Sequence, residues 1–431
     1  MKIRGKNLGP VAMAKEFWAL FCDDSLFRNS IYLMMSTGVM SGLGFVFWVI
    51  TTRYYDSEEV GFATALISIT VTISSWSLFG LNSALVRYLA QSPRPNRVIN
   101  TSLLIVSGTT IAASALYLLG IDYFSPAFHM LAANPFYAFL FVLFMIAVSL
   151  NSLTDSVFIA HRLSKYNLIV YTFFGLTKII LPLFLISLGG YGVFFSYSGA
   201  VLVSLALSIY FMVKKFDYRP QLVFERDFTK QAARFSMATY TAGFISGLPG
   251  YLAPIFILNE FGAKNSAYFY MASTIANLLN IIPQAISQSL FAEGSFKEDD
   301  FAVFAKKAVR YIGIFLIPAV LLIFIFGKYV LLIFGEEYSQ NSYQMLQILA
   351  IMSLFLAIVA IGSIIMKIKH QMKAYIGVNA VYFLFTVALF YVLTPFYGTM
   401  GIVWGLLGGE VFLSLCFIFI YRKHLLRLFV R

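Results

Sequence analysis

The sequence predicts an all-α polytopic membrane protein of about twelve transmembrane helices in two six-helix halves. Three observations carry this prediction. Of 431 residues, 60% are hydrophobic and 12% charged, whereas a soluble chain carries about 25% charged residues to coat its cores. Apolar runs of roughly 20 residues, the length that crosses a hydrocarbon core, recur along the whole chain. Lys and Arg gather in alternate connections between those runs, as they do when charge sets membrane orientation. The 45 Phe and 26 Tyr suit lipid-facing and interfacial positions.

In order, the runs cover 29–52, 60–86, 98–121, 135–160, 167–188, 191–213, 235–258, 265–292, 304–326, 343–366, 373–394 and 399–421. Of the 31 Lys and Arg, all but Arg53, Lys178, Lys264 and Lys328 fall at the two ends or in every second connection. Basic short loops stay in the cytoplasm, so both termini are expected there. The same scattering argues against a nucleic-acid partner despite the net charge of +12, because a nucleic-acid surface gathers its cations on one face. Residues 1–26 are not a cleaved signal, since Lys15, Glu16, Asp23 and Asp24 break any apolar core. Val11, Ala14, Trp18 and Phe21 recur at helical spacing and predict a short helix lying on the membrane surface.

A weak internal repeat supports the division into halves. Ser41-Gly42-Leu43-Gly44 in the first run aligns with Ser246-Gly247-Leu248-Pro249 in the seventh, and Arg87 after the second aligns with Glu293 after the eighth. Six runs separate the copies, so both halves point the same way and their axis lies along the membrane normal. The expected organisation is an interfacial segment over 1–26, lobes over 27–213 and 235–421, a linker over 214–234 and a basic tail over 422–431. Pro182, Pro249, Pro254, Pro283 and Pro318 each remove a backbone hydrogen bond within a run. Pro249 and Pro283 are candidate hinges, and Gly247-Leu248-Pro249-Gly250 a candidate unwound stretch; a simple packing kink is the alternative.

Catalytic readings have little to stand on. No HExxH, GxSxG or P-loop pattern occurs, and His129, His161, His370 and His424 sit on separate segments without ligand spacing. Cys22 and Cys416 lie near opposite ends, so the sequence calls for no disulfide framework, metal or cofactor.

The run Gly44-Phe45-Val46-Phe47-Trp48-Val49-Ile50, continued by Arg53-Tyr54-Tyr55 and Glu58-Glu59-Val60-Gly61-Phe62-Ala63-Thr64-Ala65-Leu66, resembles the opening of Wzx-type polysaccharide flippases of the MOP superfamily. Leu78-Phe79-Gly80-Leu81, Ile333-Phe334-Gly335-Glu336-Glu337-Tyr338, Leu346, Leu349, Pro395, Gly398 and Gly401 extend the likeness over nearly the whole chain. The superfamily also holds the MATE exporters and the peptidoglycan-precursor flippase. The resemblance implies a MATE-like fold, two six-helix lobes facing a central cavity. It implies alternating access and movement of a polyprenyl-diphosphate-linked oligosaccharide, such as an O-antigen or lipopolysaccharide precursor, across the inner membrane. A glycan polymerase or ligase of the same pathway is then an expected partner. The peptidoglycan-precursor flippases carry an Arg-Asp pair inside their first helix; here no charge lies between Arg28 and Arg53, so that pair does not transfer. Two rivals stay open: a MATE-like antiporter of cationic small molecules, which calls for an acidic cavity, and a membrane polymerase or ligase, which the short outer loops oppose.

Charges at membrane depth are costly and point to cavities or partners. Lys178 lies mid-span in the fifth run and is a candidate contact for the substrate diphosphate, or a structural partner of Asp155 one helix away. Glu410, beside Gly408 and Gly409, is a candidate carrier of a coupling proton or sodium ion, or a carboxylate hydrogen-bonded across helices; Asp155 is a second, relay-type candidate. Arg87 and Glu293 are candidates for an ion-pair gate, with snorkelling to the interface as the plain alternative.

Overall fold

A computed structural model describes residues 25–296, 301–369 and 371–429. The interfacial helix expected within 1–26 falls almost wholly outside them. Among the described residues every regular element is helical, and twelve long helices follow one another: α1 (Ser25–Tyr54), α2 (Ser57–Ser77), α3 (Pro95–Leu119), α4 (Pro135–Ala160), α5 (Lys165–Ile180), α6 (Gly190–Phe216), α7 (Arg226–Phe261), α8 (Ala263–Phe296), α9 (Phe301–Leu332), α10 (Tyr343–Ile368), α11 (Met372–Tyr397) and α12 (Thr399–Phe429). Among the described residues eleven helices are long and apolar enough to cross a membrane, α5 counted with the 3₁₀ turn Leu181–Phe184 that holds Pro182. The chain is thus a multi-pass membrane protein. α8 is the exception among the twelve: Asn265, Asn277, Asn280, Gln284 and several hydroxyls dilute its apolar residues, for a reason its packing makes plain.

With α8 counted beside the eleven, twelve long helices run back and forth, an even number that puts both ends of the described chain on one face, the terminal side; the opposite face is the far side. α2 begins at the far side with Glu59 reaching back to accept a 3.1 Å hydrogen bond from the Asp56 backbone N–H. It ends where Phe79 (φ 44°) and Gly80 (φ 74°) turn the chain into the short helix Leu81–Tyr88. Left-handed backbone is cheap at Gly80 because no Cβ meets the following carbonyl.

α2 is the joint of the fold. It packs on α4 and α6 within the first half and on α7 and α8 of the second. Gly61 makes this possible: a Cβ there would run into the Ala263 carbonyl and lie 3.0 Å from the Ala267 backbone nitrogen of α8. Without a solvent-driven hydrophobic effect between helices, such close backbone packing is a main source of cohesion in lipid. The hydroxyls that α2 buries are satisfied locally, Thr64 on the Gly61 carbonyl at 2.9 Å, Ser68 on Thr64 at 2.8 Å and Ser77 on Ile73 at 2.7 Å. α1 is peripheral, packing chiefly on α5, and is the least buried span of the first half.

The two halves share one apolar core at the far side, joining Trp48, Ile67 and Phe141 with Ala267, Phe269, Phe334 and Leu346. Nearer the terminal side the cores separate, one within α2–α6 and the other within α7–α12. Phe228 and Ala232, in the first turns of α7, pack with the first-half core. The halves therefore meet at the far side and part toward the terminal side.

Two expectations change here. α7 starts at Arg226, inside the segment expected as linker, and runs without a break through Pro249 and Pro254, so Gly247–Gly250 is helical rather than unwound. Pro283 likewise sits inside continuous α8. A proline removes one hydrogen bond, and the neighbouring turns hold the helix when it is packed on both sides. What remains of the linker, 217–225, is an extended strap pinned along α3: Asn100 donates to the Arg219 carbonyl (3.0 Å) and accepts from the Tyr218 hydroxyl (2.6 Å), and Thr101 accepts from the Glu225 backbone N–H (2.8 Å).

Candidate functional site

Between the halves lies a cavity of about 490 Å³ walled by α2, α7, α8, α10, α11 and α12. α8 explains its own polarity here. Tyr270, Ser273, Thr274, Asn277, Asn280 and Gln284 recur at three- and four-residue steps and face the cavity. Ala267, Met271, Ala272, Ile275 and Leu279 on its other face are buried in the cores. α7 adds Ser246 and Tyr251, with Gly247 and Gly250 keeping that wall low.

Across the cavity, α11 and α12 contribute Tyr382 and Glu410. Gly409 lets the two helices approach, since a Cβ there would stand 3.1 Å from the Tyr382 ring. The Tyr382 hydroxyl donates to Glu410 Oε1 at 2.7 Å, and Glu410, only 6% exposed, keeps Oε2 without a partner among the described residues. Among the described residues of the cavity wall, Glu410 is the charged one.

Lys178 is placed differently from the cavity-lining position expected of it. Its Nζ lies over the rings of Phe174 (4.8 Å to the centroid), Phe47 (5.0 Å) and Tyr197 (6.0 Å), an aromatic cage built by α5, α1 and α6. Gly44 of α1 leaves it room, an added Cβ lying 3.7 Å from Nζ. Ring faces supply partial negative charge where no carboxylate stands. The alternative pairing with Asp155 is not formed either. The Asp155 carboxylate accepts instead from the Tyr171 hydroxyl at 2.7 Å and the Asn167 amide at 3.4 Å. The cage lies one layer behind the cavity wall: Phe47 packs on Trp48 (4.7 Å between centroids), and Trp48 packs edge-on against Tyr270 (4.9 Å).

Of the expected gate, Arg87 is exposed on the helix Leu81–Tyr88 with its guanidinium 5.5 Å from the Tyr88 ring centre. The Glu293 side chain lies outside the described residues.

The side-chain hydrogen bonds between halves that the structure displays, apart from those of the strap, are at the far side. Ser57 of α2 donates to Glu337 Oε1 at 3.0 Å, and the Tyr268 hydroxyl of α8 donates to the same oxygen. Arg53 donates to the Ile333 carbonyl at 3.0 Å, Asn259 to the Phe124 carbonyl at 2.8 Å, and Phe45 packs edge-on with Phe334. These were not foreseen from sequence, although Glu337 sat in a quoted motif. The α8 amides were legible in principle, as three carboxamides at helical spacing inside a span.

The profile of a family described as "Polysaccharide biosynthesis protein" matches residues 26–291. An uncharacterized membrane protein of Methanocaldococcus jannaschii is 24% identical over 354 residues, covering 77% of this chain and 82% of that one. Among solved structures, the inward-facing conformation of a multidrug resistance MATE family transporter of the MOP superfamily superposes with a TM-score of 0.72 at 14% identity, covering 93% of this chain and 98% of that one. The lipid II flippase MurJ in an inward closed conformation gives 0.72 at 15% identity over 91% and 87%. A MOP superfamily transporter from Pyrococcus furiosus gives 0.64 at 14% identity over 94% and 96%. These likenesses establish the fold: two pseudo-symmetric six-helix lobes around a central cavity.

Proposed function

The chain belongs to the polysaccharide biosynthesis protein family, and from that premise we propose that it is a flippase. It carries a polyprenyl-diphosphate-linked oligosaccharide from the cytoplasmic to the outer leaflet by alternating access, without chemistry of its own. The observation that carries this reading is the cavity wall: amides, hydroxyls and tyrosine rings suit an uncharged, hydroxyl-rich head group that must cross a bilayer shielded from lipid. The charge pattern of the connections supports cytoplasmic termini and an inner-membrane location, in which case the cavity faces the cytoplasm and the far-side contacts close the outer path.

Within this reading the lobes are 27–213 and 235–421. Glu410, with one free carboxylate oxygen in the cavity, binds the coupling proton or sodium ion. Asp155, held by Tyr171 and Asn167, is the second, relay-type group for that coupling ion. Lys178 meets the diphosphate once the lightly packed α1 swings and opens the cage toward the cavity. Arg87 and Glu293 close the cytoplasmic path when the outer one opens, with Pro249 and Pro283 as flexing points. The product appears where a polymerase or ligase consumes it.

A cation-coupled small-molecule antiporter is the second reading, favoured by one observation, that the charge in the cavity wall is acidic. Cells separate the two. Depleting a flippase leaves lipid-linked oligosaccharide accumulating on the cytoplasmic leaflet, accessible to sugar-oxidising reagent in inverted vesicles; unchanged distribution, with loss of tolerance to cationic dyes, would favour the antiporter.

A further inference from the structure

We infer that the α8 wall of the cavity is a glycan-recognition face, in which Asn277, Asn280 and Ser273 read the hydroxyl and acylamino groups of the sugar joined to the lipid diphosphate. The inference rests on the flippase reading and adds which part of the cargo this wall selects.

The Asn280 side-chain N–H donates to Asn277 Oδ1 at 3.2 Å. This bond orients both amides. It uses the acceptor of Asn277 and a donor of Asn280, leaving the Asn277 amide N–H group and Asn280 Oδ1 to point elsewhere. Asn280 Oδ1 and Ser273 Oγ are buried and have no partner among the described residues. Both residues line the cavity, together with Asn277, within two turns of one helix. A buried polar atom without a partner is costly, and more so at membrane depth, so its persistence mid-span marks a site that a ligand completes.

The pattern of the free groups selects the ligand. Within two turns of one helix the wall thus holds a donor at Asn277, an acceptor at Asn280 Oδ1 and a hydroxyl at Ser273 that can act as either. A phosphate offers only acceptors and leaves Asn280 Oδ1 unmatched; an ammonium offers only donors and leaves the Asn277 amide unmatched; an acyl chain satisfies neither. A sugar hydroxyl donates and accepts at once, and an acylamino group presents an N–H beside a C=O. Tyr251 and Tyr270 flank the amides in the same cavity and offer aromatic faces to the C–H surface of a pyranose ring. Bases or sugars gripped through paired hydrogen bonds are discriminated more sharply than by apolar fit, because the wrong cargo leaves the site's own polar groups unpaired.

The test uses the full chain in proteoliposomes with two fluorescent polyprenyl diphosphates, one bearing an N-acetylglucosamine-headed disaccharide and one bearing no sugar. The unaltered protein is expected to move the glycosylated lipid at least about tenfold faster. In Asn277→Leu/Asn280→Leu that preference should shrink to about twofold or less while the rate for the bare lipid is retained, which also shows that the variant folds. Asn280→Asp, which removes the donor that orients Asn277, should lose much of the preference. A double variant that retains the full preference, or that slows both lipids equally, overturns the inference and leaves the flippase reading standing. An unaltered protein that moves neither lipid sinks the flippase reading itself.

Discussion

Replacing Arg53 and Glu337 together by alanine should loosen the far-side closure of the two halves. Two hydrogen bonds crossing between halves are lost, Ser57 to Glu337 at 3.0 Å and Arg53 to the Ile333 carbonyl at 3.0 Å. Both involve a charged group, which would favour the upper part of the usual range for one hydrogen bond, but Arg53 and Glu337 are solvent-exposed, which lowers it. A net cost of roughly 0.5–1 kcal/mol each gives about 1–2 kcal/mol for the pair, or a factor of roughly 5–30 in the ratio of far-side-closed to far-side-open molecules. The apolar contact of Phe45 with Phe334 and the Asn259 bond to Phe124 remain, so closure is weakened rather than abolished. The assay is a spin-label distance distribution between cysteines placed at Glu58 and Gln340, both exposed and on opposite halves, in a background with Cys22 and Cys416 replaced by serine. The double variant should show a longer-distance population grown by that factor. An unchanged distribution would refute the assignment of these groups as the far-side latch.

Other consequences can be checked more quickly. Gly61→Ala forces a methyl into the Ala263 carbonyl and the Ala267 amide, backbone atoms that cannot rotate away, and should cost about 1–3 kcal/mol, read as a lower apparent melting temperature in detergent; an unchanged melting temperature would mean that α2 and α8 do not touch there. Asn100→Ala strips the strap of its bonds from Tyr218 and Gln221 and to Arg219, so chymotrypsin should cut after Tyr218 several times faster than in the unaltered protein, and equal rates would show that the strap is held otherwise. Glu410→Gln keeps a hydrogen bond to Tyr382 but cannot bind a coupling cation. Transport in this variant should stop responding to an imposed proton or sodium gradient; a full response would remove Glu410 from coupling. Lys178→Met keeps the cage filled while deleting the charge, and should reduce transport of diphosphate lipids more than it lowers stability, with intact transport demoting Lys178 to packing.

The sequence was most informative where a single physical property decides. Length and hydropathy located the helices because the hydrocarbon core imposes one length on every span. It said less about what each face meets. In α5, Asn167, Tyr171 and Lys178 fall at helical spacing and mark a face but not its neighbours, and the Lys178 cage draws Phe47 and Tyr197 from two other helices. Depth was readable for Lys178; neighbours were not. Glu410 was legible by contrast, because glycines beside a mid-span carboxylate foretell a close helix approach, and Tyr382 is what that approach delivers. The strap held by Asn100 joins residues more than a hundred positions apart, and no local pattern encodes such a contact. The expected unwinding at Gly247–Gly250 is absent because packing on both sides of α7 outweighs the hydrogen bonds that Pro249 and Pro254 remove.

The central claim is that a lipid-linked sugar is the cargo, and reconstitution tests it most directly. Purified protein in proteoliposomes is given a fluorescent polyprenyl-diphosphate oligosaccharide and, separately, a cationic dye, and the fraction of each that crosses is followed with a membrane-impermeant quencher. The account predicts that the sugar lipid crosses at a rate well above that of protein-free vesicles while the dye stays where it was placed. Dye movement with the sugar lipid held to one leaflet would contradict it.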